Sequence, residues 1–97
     1  PKEFTLSSGH EVTGIGFIRY HQRMIELAKD SITRVKADQR DISSITFACD
    51  QESLADLKQM IHEFNEKVQA RLANVPNKKD VLQLNIQLFP VSQKSED

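Results

Sequence analysis

Apolar and polar positions along the chain switch repeatedly between two periods. Phe4 and Leu6 flank Thr5 in "EFTLSSG", a short strand-like alternation stopped by Ser7-Ser8-Gly9. From about residue 13, Ile18, His21, Ile25, Ala28, Ile32 and Val35 recur at alternating spacings of three and four, with Phe17, Met24 and Leu27 widening the stripe. Such spacing predicts an amphipathic helix with one apolar face. "RDISSITFACD" then alternates, placing Ile45, Phe47 and Cys49 on one face and Ser44, Thr46 and Ala48 on the other. Its β-branched and aromatic residues predict a strand. Asp50 stands where an N-cap is needed, before a second helical stripe of Leu54, Leu57, Ile61, Phe64, Val68 and Leu72 predicted over 51–74. Pro76 stops that helix. In "VLQLNIQLFPVS", Leu82, Leu84, Ile86 and Leu88 alternate with Gln83, Asn85 and Gln87, predicting a last strand with one buried face.

The order weak strand, helix, strand, helix, strand predicts an α+β, two-layer domain. Two long, antiparallel amphipathic helices would pack on one face of a small sheet of two to four strands. Residues 1–12 read as a linker and weak strand entering from an upstream domain, 13–92 as one α+β domain, and 93–97 as a polar tail. The opposite sheet face would carry Ser44, Thr46, Gln83, Asn85 and Gln87, an uncharged polar surface. Amides and hydroxyls lose less on desolvation than charges do. Three readings of that face stay open: plain solvent exposure, a protein–protein joint, or the floor of a small-ligand pocket.

Ninety-seven residues allow one modest core. Thirteen basic and fourteen acidic residues leave a net charge of -1, which gives no global attraction for nucleic acid or anionic membrane. No apolar run approaches the ~20 residues that span a bilayer. The single Cys49 cannot form an internal disulfide, which suits a reducing cytosol, and its apolar strand pattern predicts a buried, inert thiol.

Candidate chemistry is sparse. His21 lies in the first apolar stripe beside Tyr20, with Met24 and Ile25 where a metal site would want ligands, and reads as a structural histidine. His62, with Glu66 at i+4, reads as half of a solvated helical pair. Arg40-Asp41 could clamp a carboxylate or phosphate, or form an ion pair fixing the turn between helix and strand. The latter is expected, because no glycine-rich phosphate cradle accompanies it.

Three segments, "IRYHQRMIELAKDSI", "RDISSITFACDQESLADLKQMIHEF" and "VLQLNIQLFPVS", together resemble the C-terminal domain of a bacterial family of transcriptional regulators. Tyr20-His21, the Arg40-Asp41-x-Ser43-x-x-Thr46 run and Gln83-x-Asn85-x-Gln87-Leu88-Phe89-Pro90 carry the likeness. "FTLSSGHEV" resembles the entry to that domain from an upstream winged helix-turn-helix. The resemblance implies a regulator's accessory domain of unknown function and transfers no catalytic residue.

The expected function is therefore a non-catalytic dimerisation or signal-receiving domain of a cytoplasmic regulator, without cofactor or metal. Its expected partners are a second copy and an upstream DNA-binding domain of the same protein. No direct contact with nucleic acid or membrane is expected. The alternative is a small-molecule sensor, with Tyr20, His21 and Arg40 at the mouth between helices and sheet.

Overall fold

The computed structural model describes residues 14–92. The expected strand at Phe4 to Leu6 and the polar tail at 93–97 lie outside the described residues. Two helices form, α1 at Ile15–Arg34 and α2 at Gln51–Leu72, with one turn of 3-10 helix at Ala37–Gln39. The chain divides into two compact units, whose described parts are 41–81, holding α2, and 14–40 together with 82–92, holding α1.

In the α1 unit, the helix starts on Gly14, whose φ of 147° lies where only glycine is comfortable. No side chain caps this end; the Gly14 carbonyl accepts from the Ile18 N–H at 3.0 Å. The other end is better held. The Val35 N–H donates to the Ser31 carbonyl at 3.1 Å, the backbone turns extended at Val35, and the Arg40 guanidinium folds back to donate to the Val35 carbonyl. A cation at that position also opposes the negative end of the helix dipole. On the exposed side of α1, Arg23 pairs with Glu26 at 3.3 Å, an i,i+3 contact worth a few tenths of a kcal/mol.

In the α2 unit, the Asp50 carboxylate accepts the Ser53 N–H at 2.8 Å, filling one orphan donor of the first turn as its sequence position predicts. The helix ends two residues earlier than expected, at Leu72. The Ala73 and Val75 N–H groups then close short turns onto the Ala70 and Leu72 carbonyls, both at 3.4 Å, before Pro76. Leu54, Leu57, Ile61 and Val68 of the expected stripe are half-buried, together with Asn65, whereas Phe64 and Leu72 are exposed.

The α+β expectation is overturned. Among the described residues there is no strand and no sheet, and the regular elements are all helical. Residues 41–50 and 82–91 are neither helical nor paired in a ladder. Alternation marks which residues share a face of an extended chain; a strand also needs a neighbour to exchange backbone hydrogen bonds with. Period two likewise leaves undecided which of its two faces points inward. In the last segment it is two polar side chains, Gln83 and Asn85, that hydrogen-bond to α1. No side chain among the described residues is fully buried.

Candidate functional site

The best-defined constellation joins α1 to the segment 82–92 within one unit. The Gln83 side-chain amide donates to the Tyr20 hydroxyl at 3.3 Å and to the Asn85 side-chain carbonyl at 3.0 Å. Asn85 in turn donates through Nδ2 to the Met24 backbone carbonyl at 2.8 Å. That carbonyl lies inside α1, and its second lone pair allows it to take a side-chain donor besides the helical N–H. Four groups thus form one chain, from the Tyr20 oxygen through Gln83 and Asn85 to the backbone of Met24. Both bonds to α1 cross more than sixty residues of sequence, so they tie the C-terminal segment to the first helix. Each neutral bond of this kind contributes about 0.5–1.5 kcal/mol net.

Asn85, of the amide row, and Leu88, of the leucine row, are half-buried, while Leu82, Gln83, Leu84, Ile86 and Gln87 are exposed. The expected division into a covered leucine row and an outward amide row is therefore absent. On α1 itself the half-buried positions are Phe17, His21, Met24, Ser31 and Val35. Ile18, Ile25 and Ile32, the most apolar members of the expected stripe, are exposed. The helix is therefore rotated from its expected setting, with the Phe17–Met24 side covered in place of the isoleucines.

His21 is enclosed by aromatic neighbours. Its ring centroid lies 4.4 Å from that of Phe17 and 5.0 Å from that of Tyr20, the latter an edge contact at 87°. Nε2 of His21 is shielded from solvent and has no hydrogen-bond partner among the described residues. Arg40, considered as a ligand clamp or as the partner of Asp41, instead donates to the Val35 carbonyl and closes the end of α1. Tyr20, His21, Arg40, Gln83 and Asn85 belong to the same unit, with Gln87 exposed on the same segment. Asp41, Ser44 and Thr46 belong to the other unit and are exposed, so the single polar face expected from Ser44, Thr46 and the amides is not assembled within either unit.

Cys49 is exposed, contrary to the buried thiol expected, because the apolar row Ile45, Phe47 and Cys49 is not covered in the described structure. Among the described residues no three His, Cys, Asp or Glu side chains converge on a point that could hold a metal ion. None of the described helices is long and apolar enough to cross a membrane. One participant has no signal in the sequence: Met24 contributes a backbone oxygen that no side-chain pattern marks.

Residues 2–91 match the model of a family described as a domain of unknown function, DUF4423. No curated protein and no solved structure matches the chain.

Proposed function

We propose, for a chain that belongs to the DUF4423 family, a non-catalytic accessory role: an assembly or signal-receiving domain of a bacterial transcription regulator whose DNA-binding domain lies upstream. The observation that carries this reading is the exposure of ordered, in-register apolar side chains, Ile18, Ile25 and Ile32 on α1 and Leu82, Leu84 and Ile86 on the segment bound to it. Scattered apolar residues are normal on a surface, whereas contiguous ordered rows mark places covered by another protein. The regulator context rests on the resemblance of Tyr20-His21, of the run from Arg40 to Thr46 and of the amide-rich segment to the accessory domains of such proteins. A lone exposed thiol suits the reducing cytoplasm in which those regulators work.

Light scattering coupled to gel filtration tests the assembly reading. The expected mass is a multiple of the 11.1 kDa chain at micromolar concentration. A monomer persisting at several hundred micromolar contradicts it.

A second reading, small-molecule sensing, has one specific observation in its favour: the solvent-shielded Nε2 of His21, beside the Tyr20 ring, without a partner among the described residues. A ligand donating to that nitrogen at 100 times its Kd would stabilise the fold by about 2.7 kcal/mol. A thermal-shift screen of metabolites carrying hydroxyl or N–H donors checks this. A hit that persists unchanged in His21→Phe would contradict the assignment of the site.

A further inference from the structure

At ~100° per residue, Tyr20, His21 and Met24 fall within an arc of ~100° on α1. The Gln83 amide donates to the Tyr20 hydroxyl and the Asn85 amide to the Met24 carbonyl. Tyr20 in turn stands edge-on against the His21 ring, centroids 5.0 Å apart, and Phe17 packs on that ring at 4.4 Å. Gln83 therefore fixes one of the two rings that flank His21. Nε2 of His21 is shielded from solvent and meets no hydrogen-bond partner among the described residues. A shielded polar atom left unmatched costs as much as a lost hydrogen bond, so its retention calls for a partner that the closed form does not supply. The hold of the C-terminal segment is light. Two neutral side-chain bonds tie it to α1, and among the described residues no backbone group of 82–92 bonds to another backbone group. A segment held in this way opens more readily than a strand in a ladder.

We propose that 82–92 is a strap over a latent ligand site, and that its two amides occupy the places of the ligand's N–H donors. The inference deepens the sensing reading above and rests on it. When the strap lifts, the Tyr20 oxygen and the Met24 carbonyl lose their donors, and the Tyr20 ring is free to turn away from His21. One arc of α1 then presents three neutral acceptors: the Tyr20 oxygen, the Met24 carbonyl and Nε2 of His21. Nε2 accepts in the tautomer that carries its proton on Nδ1. In the closed form two of these acceptors already bind uncharged amides. The ligand class that fits is therefore a small, uncharged molecule with several N–H donors, a primary carboxamide or a urea. The Phe17 and Tyr20 rings supply apolar flanks beside His21. Such a ligand binds only the strap-released form and draws the population toward it, which turns occupancy into release of 82–92.

Carbethoxylation by diethyl pyrocarbonate, which adds preferentially at an accessible Nε2 of a neutral imidazole, tests this on the whole chain. Peptide mapping by mass spectrometry follows each histidine, with His62, exposed on α2, as the reference. In the wild type His21 is expected to react about tenfold more slowly than His62. Gln83→Ala with Asn85→Ala should speed His21 about fivefold or more and leave His62 unchanged, because two neutral hydrogen bonds to α1 are lost. Acetamide, which carries the strap's own donors, should then slow His21 about twofold in that double variant, and N,N-dimethylacetamide, which lacks them, should not. Equal effects of the two, or none, would overturn the ligand class. A His21 that stays protected in the double variant, with helix content unchanged by circular dichroism, would overturn the strap and leave the sensing reading standing. A His21 as reactive as His62 in the wild type would remove both. If the double variant loses helix, Tyr20→Phe decides, since it keeps the ring and removes only the acceptor of the Gln83 amide. His21 should then react about twofold faster than in the wild type, and an unchanged rate would overturn the strap.

Discussion

The two units pose the same problem and solve it differently. Each holds one helix of 20 or 22 residues and one run of alternating apolar and polar positions. In the α1 unit the polar positions of the run are Gln83 and Asn85, whose long amides reach across to Tyr20 and to the Met24 carbonyl. In the α2 unit they are Ser44 and Thr46, whose short hydroxyls are exposed and make no hydrogen bond among the described residues. Run and helix there are joined at the Asp50 cap. Reach therefore separates the two cases. An amide carries donor and acceptor two or three bonds beyond Cβ, while Ser and Thr hydroxyls serve mainly their own backbone neighbourhood. Identical alternation gives a docked segment in one unit and none such in the other.

The sharpest way to break this contrast is to remove both amides. Gln83→Ala with Asn85→Ala deletes three hydrogen bonds, two of them to α1, and should lower the stability of the α1 unit by about 1–3 kcal/mol. Denaturant titration monitored separately in each unit checks this, with the α2 unit expected to keep its midpoint. Arg40→Ala comes next. It frees the Val35 carbonyl and removes a cation from the end of α1, for an expected loss of about 1 kcal/mol with fraying of the last turn. Hydrogen exchange of the amides of 31–35 would show that fraying, and unchanged protection would contradict the role assigned to Arg40.

Asp50 sharpens the comparison from the other side. Hydrogen bonds from Ser53, its hydroxyl first and its backbone N–H next, hold the Asp50 carboxyl below the usual aspartate range. A carboxyl lowered in the folded state contributes stability that is fully present above its unfolded value of ~4 and is lost as pH falls through the lower folded value. Helix content of the α2 unit should thus decline on acidification below pH ~4. Asp50→Asn should keep the cap and flatten that pH dependence, while Asp50→Ala should unravel about one turn at neutral pH. The smallest effect is expected from Ser44→Ala with Thr46→Val. These exposed hydroxyls hold nothing among the described residues, so stability should move by no more than ~0.5 kcal/mol.

Helices were legible in the sequence because their signals are local. The three–four spacing of Ile18 to Val35, the Asp50 cap and Pro76 each act within a few residues, and α1 and α2 form within two residues of the expected bounds. Facing and pairing were not legible, because both depend on distant partners. Alternation in 82–88 predicts a strand with its leucine row buried, and neither the strand nor that division of burial is present among the described residues. Acceptors at Tyr20 and Met24, distant in sequence, draw the Gln83 and Asn85 amides to α1. The candidate site was accordingly half visible. Tyr20, His21, Gln83 and Asn85 were singled out and do gather in one unit, while Ser44, Thr46 and Asp41 were grouped with them by a sheet that does not form.

Which row of 82–88 faces α1 decides between the docked amides and the ordinary amphipathic strand. Nuclear Overhauser contacts from the side-chain amide protons of Asn85 and Gln83 report it directly. The account predicts cross-peaks from the Asn85 amide to Met24 and from the Gln83 amide to the Tyr20 ring. Methyl cross-peaks from Leu82, Leu84 and Ile86 to those same α1 residues, with both side-chain amides free in solvent, would contradict it.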